Sequence, residues 1–87
     1  MNEADDFPTD PNDPRILWLY VVFDKPTDYP KEFVCRRQFP WAGKVYWEKK
    51  LFARADNLED LIAKLPSGLA HLPRDKGDPG DIVGTWI

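Results

Sequence analysis

The longest uninterrupted apolar run of this chain is eight residues, 16–23, within the segment RILWLYVVFD at positions 15–24. Its β-branched and aromatic side chains are typical of a strand that is buried on both faces. A membrane-spanning helix would need about 20 apolar residues, so the run is too short to cross a bilayer. We therefore expect residues 15–24 to form the central strand of a sheet.

The first 14 residues differ in composition from the rest of this 87-residue chain. They carry three prolines, five acidic residues and no basic residue. Because prolines remove backbone donors and the segment has little apolar surface to bury, we expect residues 1–14 to be a flexible acidic arm. Phe7, the only aromatic residue of the arm, could dock on the domain or on a partner. Residues 15–87 are expected to form a single domain.

Two further strands are predicted after a proline-containing loop at residues 25–32. Residues 33–39 (FVCRRQF) form the second strand, which Pro40 should end. Alternation places Phe33, Cys35, Arg37 and Phe39 on one face, and Val34, Arg36 and Gln38 on the other. Residues 41–44 should turn, with Gly43 at a positive φ. Residues 45–53 form the third strand, where adjacent lysines at positions 49 and 50 require an edge position or a bulge.

A short amphipathic helix is predicted next. Asp56 is a suitable N-cap and Glu59 follows three residues later, as in a capping box. Apolar side chains at helical spacing form one stripe, which should pack on the sheet: Leu58, Leu61, Ile62 and Leu65. Pro66 limits the helix to about nine residues, too few for stability without packing.

The remaining residues complete the predicted architecture. Residues 67–80 are rich in glycine and proline, so we expect an irregular loop with Leu69 and Leu72 turned inward, followed by a last strand at residues 81–87. The order β-β-β-α-β predicts an α+β fold with a mostly antiparallel sheet and one short helix packed on one face. A domain of this size buries only about 60% of its unfolded surface, so we expect an open second face that carries function.

Residues that could support catalysis are few. The chain has one cysteine and one histidine, too few for a multi-cysteine metal site. Cys35 is expected to be a small buried apolar group, although its arginine neighbours could lower its pKa and make it reactive. His71 is expected to face solvent or to pack, and Asp75, Asp78 and Asp81 to serve turns rather than a cation. We therefore expect no enzymatic activity, metal or cofactor.

Residues 31–54 combine basic and aromatic side chains, with seven bases against two acids. Such a mixture can bind single-stranded nucleic acid, because cations neutralise phosphates and aromatic rings stack on bases. Many of these rings are needed for the core, however, and both the acidic arm and the net charge of -3 oppose strong affinity. Nucleic-acid binding is therefore the alternative hypothesis.

Protein binding is the leading hypothesis. Four tryptophans are many for this length, and tryptophan and arginine are enriched at interface hot spots. Trp41 follows a proline at a turn, so we expect it to be exposed, although it could equally fold over the core. The candidate interaction surface consists of Arg36, Arg37, Trp41, Lys44, Lys49 and Lys50. We expect a monomer or a weak homodimer that binds a protein partner.

Three short motifs carry a resemblance to a group of proteins. They are FDxPxDYPxxFVxRR at residues 23–37, LPxGL at residues 65–69 with LPR at residues 72–74, and IVxxWI at residues 82–87. Over about residues 16–87 the chain resembles small uncharacterised proteins encoded by phages and prophages. The resemblance implies an intracellular accessory protein that works by binding, and it assigns no site residue. The N-terminus lacks the features of a secretory signal, so a cytoplasmic location is expected.

Overall fold

A computed structural model describes residues 7–77 and 80–87 of the chain. Within these residues the elements are, in order, β1 (Leu19–Asp24), β2 (Phe33–Trp41), β3 (Lys44–Trp47), β4 (Ala53–Ala55), α1 (Leu58–Ala63), β5 (His71–Pro73) and β6 (Ile82–Trp86). The strands form one antiparallel sheet in the order β3-β2-β1-β6-β5, and β4 also pairs with β2. The predicted α+β fold and the central position of β1 are confirmed.

The register of β1 and β2 gives the sheet two distinct faces. Val22 lies opposite Cys35, and both pack with Leu61 of α1 in the core. We call this side the helix face. Val21 lies opposite Arg36, and these intervening residues lie on the other side, which we call the helix-free face. The face assignment predicted for residues 33–39 is therefore confirmed.

The hydrophobic core lies between the helix face and the elements that cover it. Its buried members are Tyr20, Val22, Cys35, Ala55, Leu61 and Trp86. Partly buried apolar residues pack around them, including the other three members of the predicted helical stripe, Leu58, Ile62 and Leu65. The amphipathic pattern is thus confirmed, because the stripe contributes to the core.

The helix begins one residue later than predicted and is shorter. Asn57 is the N-cap: its Oδ1 accepts from the backbone N–H of Asp60 at 2.9 Å, and its Nδ2 donates to the Asp60 carboxylate at 3.0 Å. The expected cap at Asp56 and the expected capping partner Glu59 are therefore wrong by one position. Asparagine and aspartate are comparable caps, so composition alone does not choose between neighbours. No helix in the described part of the chain is long and apolar enough to cross a membrane.

The second strand continues past the proline that was expected to end it. Pro40 lies opposite Val45 inside β2, and the strand reaches Trp41. β1 pairs with β2 only as far as Gln38, so no strand needs a backbone donor from Pro40 on that side. A proline is compatible with a ladder at such a position, where its missing N–H would face outward.

A two-residue turn joins β2 to β3. Gly43 has φ 78°, as predicted, and Ala42 has φ 51°. Positive φ at both central positions is typical of the type I′ turn, which favours asparagine followed by glycine. Alanine is strained there, because its Cβ approaches the following carbonyl oxygen in the left-handed region.

Replacing Ala42 with asparagine should stabilise the domain. We expect Ala42→Asn to raise the free energy of unfolding by about 1 kcal/mol, because asparagine tolerates the left-handed conformation. Urea denaturation followed by tryptophan fluorescence measures the change. Ala42→Val is the control and should be destabilising, since a β-branched residue is poorly suited to positive φ. Equal effects of the two substitutions would show that the turn does not have this conformation.

The predicted third strand is divided into β3 and β4 by a bulge. The Glu48 N–H donates to the Arg37 carbonyl and the Phe52 N–H to the Cys35 carbonyl, both at 2.9 Å. Residues 49–51 are therefore extra on this strand, at the level of Arg36 on β2. Both the edge position and the bulge that the adjacent lysines indicated are confirmed.

The region predicted as an irregular loop contains a strand. β5 pairs with β6, with Leu72 opposite Thr85, and Leu72 is 45% exposed. The inward position expected for Leu72 is wrong, because Thr85 pairs with Val21 and this register places Leu72 on the helix-free face. Leu69 does pack against the core. His71 stacks on the Trp86 ring, with centroids 4.2 Å apart.

The end of the acidic arm packs against the sheet. The Phe7 ring contacts the rings of Phe39, Trp41 and Tyr46, at centroid distances of 5.8, 6.4 and 4.8 Å. The Trp18 indole N–H donates to the Pro11 carbonyl at 3.1 Å. Phe7 thus docks on the domain, which was one of its two expected roles. Residues 1–6 of the predicted arm lie outside the described residues.

Candidate functional site

Exposed apolar side chains lie on the helix-free face, at opposite edges of the sheet. The large exposed hydrophobic residues are Leu17, Val45, Trp47, Leu72 and Ile87. Val45 and Trp47 lie opposite Pro40 and Gln38, which share a face of β2 with Arg36. Ile87 continues the alternation of β6 from Thr85 and exchanges two backbone hydrogen bonds with Ala70. Leu17 lies two residues before β1.

Trp47 is the largest of these exposed side chains. The residue is 48% exposed, and its ring lies 6.3 Å from the ring of Phe23, measured between centroids. Phe23 is opposite Val34, so both aromatic rings belong to the helix-free face. Val21 and Val34 on this face are buried although no helix covers them. The face therefore has a packed apolar floor with an exposed tryptophan at its β3 edge.

A cationic concavity of about 450 Å³ adjoins this apolar surface. Its lining residues are Tyr29, Arg36, Lys49, Lys50, Leu51, Ala53 and Arg54. Arg36 connects it to the apolar surface, because Arg36 is two positions from Gln38, the partner of Trp47. The bulge makes the concavity, since it brings Lys49, Lys50 and Leu51 to one place on the edge of the sheet.

The cations of this concavity are only weakly neutralised. Arg36 donates to the exposed Asp28 carboxylate at 2.9 Å, and the Arg54 Nε lies 3.8 Å from Glu32. Among the described residues Lys49 makes no ion pair, and neither does its neighbour at position 50. Exposed ion pairs contribute little free energy to the folded state, so a competing anion can displace their carboxylates. The concavity thus presents available positive charge.

Arg37 lies on the opposite face, in a cluster that supports the fold. Its guanidinium donates to both Glu48 carboxylate oxygens, at 2.9 and 2.6 Å. It also lies 3.9 Å from the Trp18 ring centroid and 5.0 Å from that of Phe52. The hydrogen bonds to Glu48 raise the pKa of Arg37, against an opposing effect of burial. Arg37 therefore remains charged and is occupied within the domain.

The other predicted site residues near the hairpin also lie away from the concavity. Trp41 is half-buried, its ring packs edge-on with Phe7, and the Arg15 guanidinium lies 5.2 Å from its centroid. Lys44, opposite Trp41 at the turn, is exposed. The structure therefore brings together Arg36, Lys49 and Lys50, and separates them from Arg37, Trp41 and Lys44.

Sequence reasoning did not identify the apolar part of the surface. Trp47 and Val45 were absent from the predicted site because strand residues of this type were assigned to the core, and Leu72 was absent because it was expected to turn inward from a loop. The hairpin could have located Val45 and Trp47. A two-residue turn at positions 42–43 places Trp47 opposite Gln38, on the face of Arg36. No comparable signal locates Leu72, because its strand was not predicted.

Cys35 is not part of a reactive site. Its side chain is fully buried on the helix face, and burial raises the pKa of the thiol to about 12, although the nearby Arg37 charge acts in the opposite direction. A thiol with such a pKa carries almost no thiolate at neutral pH. The expectation that Cys35 is a small buried apolar group is thus confirmed.

The helix-free face and the concavity together offer apolar contact and positive charge. Within residues 7–77 and 80–87, no group of three or more potential ligand side chains is placed to hold a metal ion. No protein-family model, curated protein or solved structure matches the chain.

Proposed function

We propose that this chain is a non-enzymatic protein-interaction module that binds a protein partner through its helix-free face. The observation that supports this most is the position of Val45, Trp47 and Leu72, which are exposed on one face while the opposite face is filled by the core. Val45 and Trp47 lie two residues apart on the same side of β3, and adjoining exposed apolar side chains are typical of interaction sites. An exposed tryptophan is also the side chain most enriched among interface hot spots.

The partner is expected to present apolar side chains next to carboxylates. Four basic residues line the concavity beside Trp47, and no acidic residue lines it with them. A partner with acidic groups at this point would bring opposite charges together, which favours both specificity and the rate of association. The proposal keeps the sequence-based expectation of a small cytoplasmic accessory protein of phage type.

Single-stranded nucleic acid is the second candidate ligand. Trp47 next to Lys49 and Lys50 could stack on a base while the lysines contact phosphates. The remaining aromatic residues of segment 31–54 oppose this reading. Phe52 packs against the core, and Phe39 and Tyr46 pack with Phe7. A single exposed ring is a weak platform for a strand of stacked bases.

Selection from a random library of displayed 12-residue peptides, with the full chain as bait, tests the proposed function. We expect the selected peptides to be enriched in aromatic or aliphatic residues together with aspartate and glutamate. Trp47→Ser should weaken their binding at least tenfold, since a hot-spot tryptophan contributes about 2 kcal/mol or more. Trp41→Ser is the matched control and should change affinity less than twofold.

Two results would contradict the proposal. One is a failure to select any binding peptide, or selection of peptides that bind Trp47→Ser as tightly as the parent chain. The other is micromolar binding of labelled single-stranded DNA or RNA that weakens steeply between about 50 and 200 mM salt, which would favour the nucleic-acid candidate. Sedimentation at two concentrations shows whether the face instead pairs with a second copy of the chain.

A further inference from the structure

We propose that the concavity formed by the bulge at residues 49–51 is a carboxylate-binding subsite for an acidic side chain of the partner. This inference rests on the proposed function and specifies how the partner is recognised. An apolar side chain of the same partner segment contacts Trp47, while an aspartate or glutamate enters between Arg36 and the lysines of the bulge.

The backbone geometry brings the two lysines together. In a regular strand, adjacent residues point to opposite faces, so Lys49 and Lys50 would be separated. The ladder contacts at Glu48 and Phe52 flank three extra residues, and both lysines line the same concavity as a result. The bulge therefore converts an adjacent pair into a localised positive charge, consistent with the tendency of bulges to redirect side chains at binding sites.

The charge balance of the concavity favours an anion. Its lining includes four basic side chains, and the nearby carboxylates contact only two of them: Asp28 contacts Arg36, and Glu32 lies 3.8 Å from Arg54. Like charges that line one space repel each other, and a bound anion relieves that repulsion. A carboxylate can accept hydrogen bonds from a guanidinium and an ammonium at once.

The walls of the concavity fit an amino-acid side chain. Leu51 and Ala53 provide apolar surface beside the cations, and the Tyr29 ring lies 5.9 Å from the Arg54 guanidinium. The methylene groups of a glutamate can contact this apolar surface while its carboxylate reaches the basic groups. A volume of about 450 Å³ is larger than the carboxylate needs, so the subsite also admits part of the partner backbone.

The spacing of the two contacts predicts a sequence pattern in the partner. Arg36 and Gln38 are two residues apart on one face of β2, which corresponds to about 7 Å along the strand. Trp47 lies opposite Gln38 on the neighbouring strand. An extended partner segment has the same spacing between residues i and i+2. The selected peptides should therefore carry an acidic residue two or three positions from an aromatic or aliphatic one.

A double-mutant cycle tests the subsite. A selected peptide is synthesised with glutamate, glutamine or phosphoserine at its acidic position and titrated against three full-length chains. These are the parent, Lys49→Gln/Lys50→Gln, and the charge-matched control Lys31→Gln/Lys76→Gln, whose exposed lysines do not line the concavity. Replacing glutamate by glutamine should weaken binding to the parent and the control about fivefold, and to Lys49→Gln/Lys50→Gln less than twofold.

The outcomes separate this inference from the proposed function. If binding depends on Trp47 but the glutamine peptide loses as much affinity for Lys49→Gln/Lys50→Gln as for the parent, the carboxylate lies elsewhere and only the subsite is overturned. If phosphoserine binds the parent more than tenfold tighter than glutamate, the subsite recognises phosphate instead. If no selected peptide depends on Trp47, the proposed function fails and the subsite fails with it. Circular dichroism checks that all three chains are equally folded.

Discussion

Leu61→Ala is expected to lower the free energy of unfolding by about 3 kcal/mol. Leu61 is 0% exposed and is the one buried residue of α1 among those described. A helix of six residues is not stable alone, so its attachment to the sheet depends on this contact. Truncation removes the apolar contact and leaves a cavity against Val22 and Cys35, which belong to the same core cluster. Urea denaturation followed by circular dichroism measures the loss.

Leu72→Ala is the matched control, because it removes the same atoms from the helix-free face. Leu72 is 45% exposed, so its truncation should change the free energy of unfolding by less than about 1 kcal/mol. Similar losses in the two variants would show that the helix-free face is as well packed as the helix face, which contradicts the division of the sheet described above.

Arg37→Ala is expected to lower the free energy of unfolding by about 2 kcal/mol. The Arg37 side chain is 15% exposed and Glu48 is 23% exposed, so the two hydrogen bonds between them are largely protected from water. Hydrogen bonds to charged groups contribute about 1.5–3 kcal/mol, and truncation also leaves the Glu48 carboxylate without its partner. The contact with the Trp18 ring is lost as well. Denaturation in urea at neutral pH measures the change.

Arg36→Ala provides the comparison at the next position of the same strand. Arg36 makes one ion pair with an exposed carboxylate, so the substitution should cost less than about 1 kcal/mol. It should instead weaken binding of the selected peptides, whereas Arg37→Ala should affect binding only through stability. Equal stability losses for the two variants would contradict the assignment of Arg37 to the fold and Arg36 to the site.

Much of the fold follows from the sequence because apolar patterning decides which surfaces are buried. The run at residues 16–23 gives the central strand, and the spacing of Leu58, Leu61, Ile62 and Leu65 gives the face of the helix. Boundaries were less predictable, because they depend on neighbours. Pro40 stays in β2 since β1 does not extend past Gln38, a fact about pairing that no local pattern contains.

The candidate site was only partly predictable, for two physical reasons. Residue type identified the bases, but Arg36 and Arg37 alternate across the sheet, so a surface containing both was inconsistent with the predicted strand. The second reason is tertiary pairing. The bulge places Lys49 and Lys50 together, and β5 places Leu72 on the helix-free face, and both depend on which strands become neighbours.

Fluorine NMR of the chain labelled with 5-fluorotryptophan shows whether the partner binds the helix-free face at Trp47. The four tryptophans occupy different environments: Trp18 beneath Arg37, Trp41 beside Phe7, Trp47 exposed on the helix-free face, and Trp86 in the core. On addition of a selected peptide, the Trp47 resonance, assigned with Trp47→Phe, should shift while the other three change little. A shift at Trp18 or Trp41 with Trp47 unchanged would contradict the account.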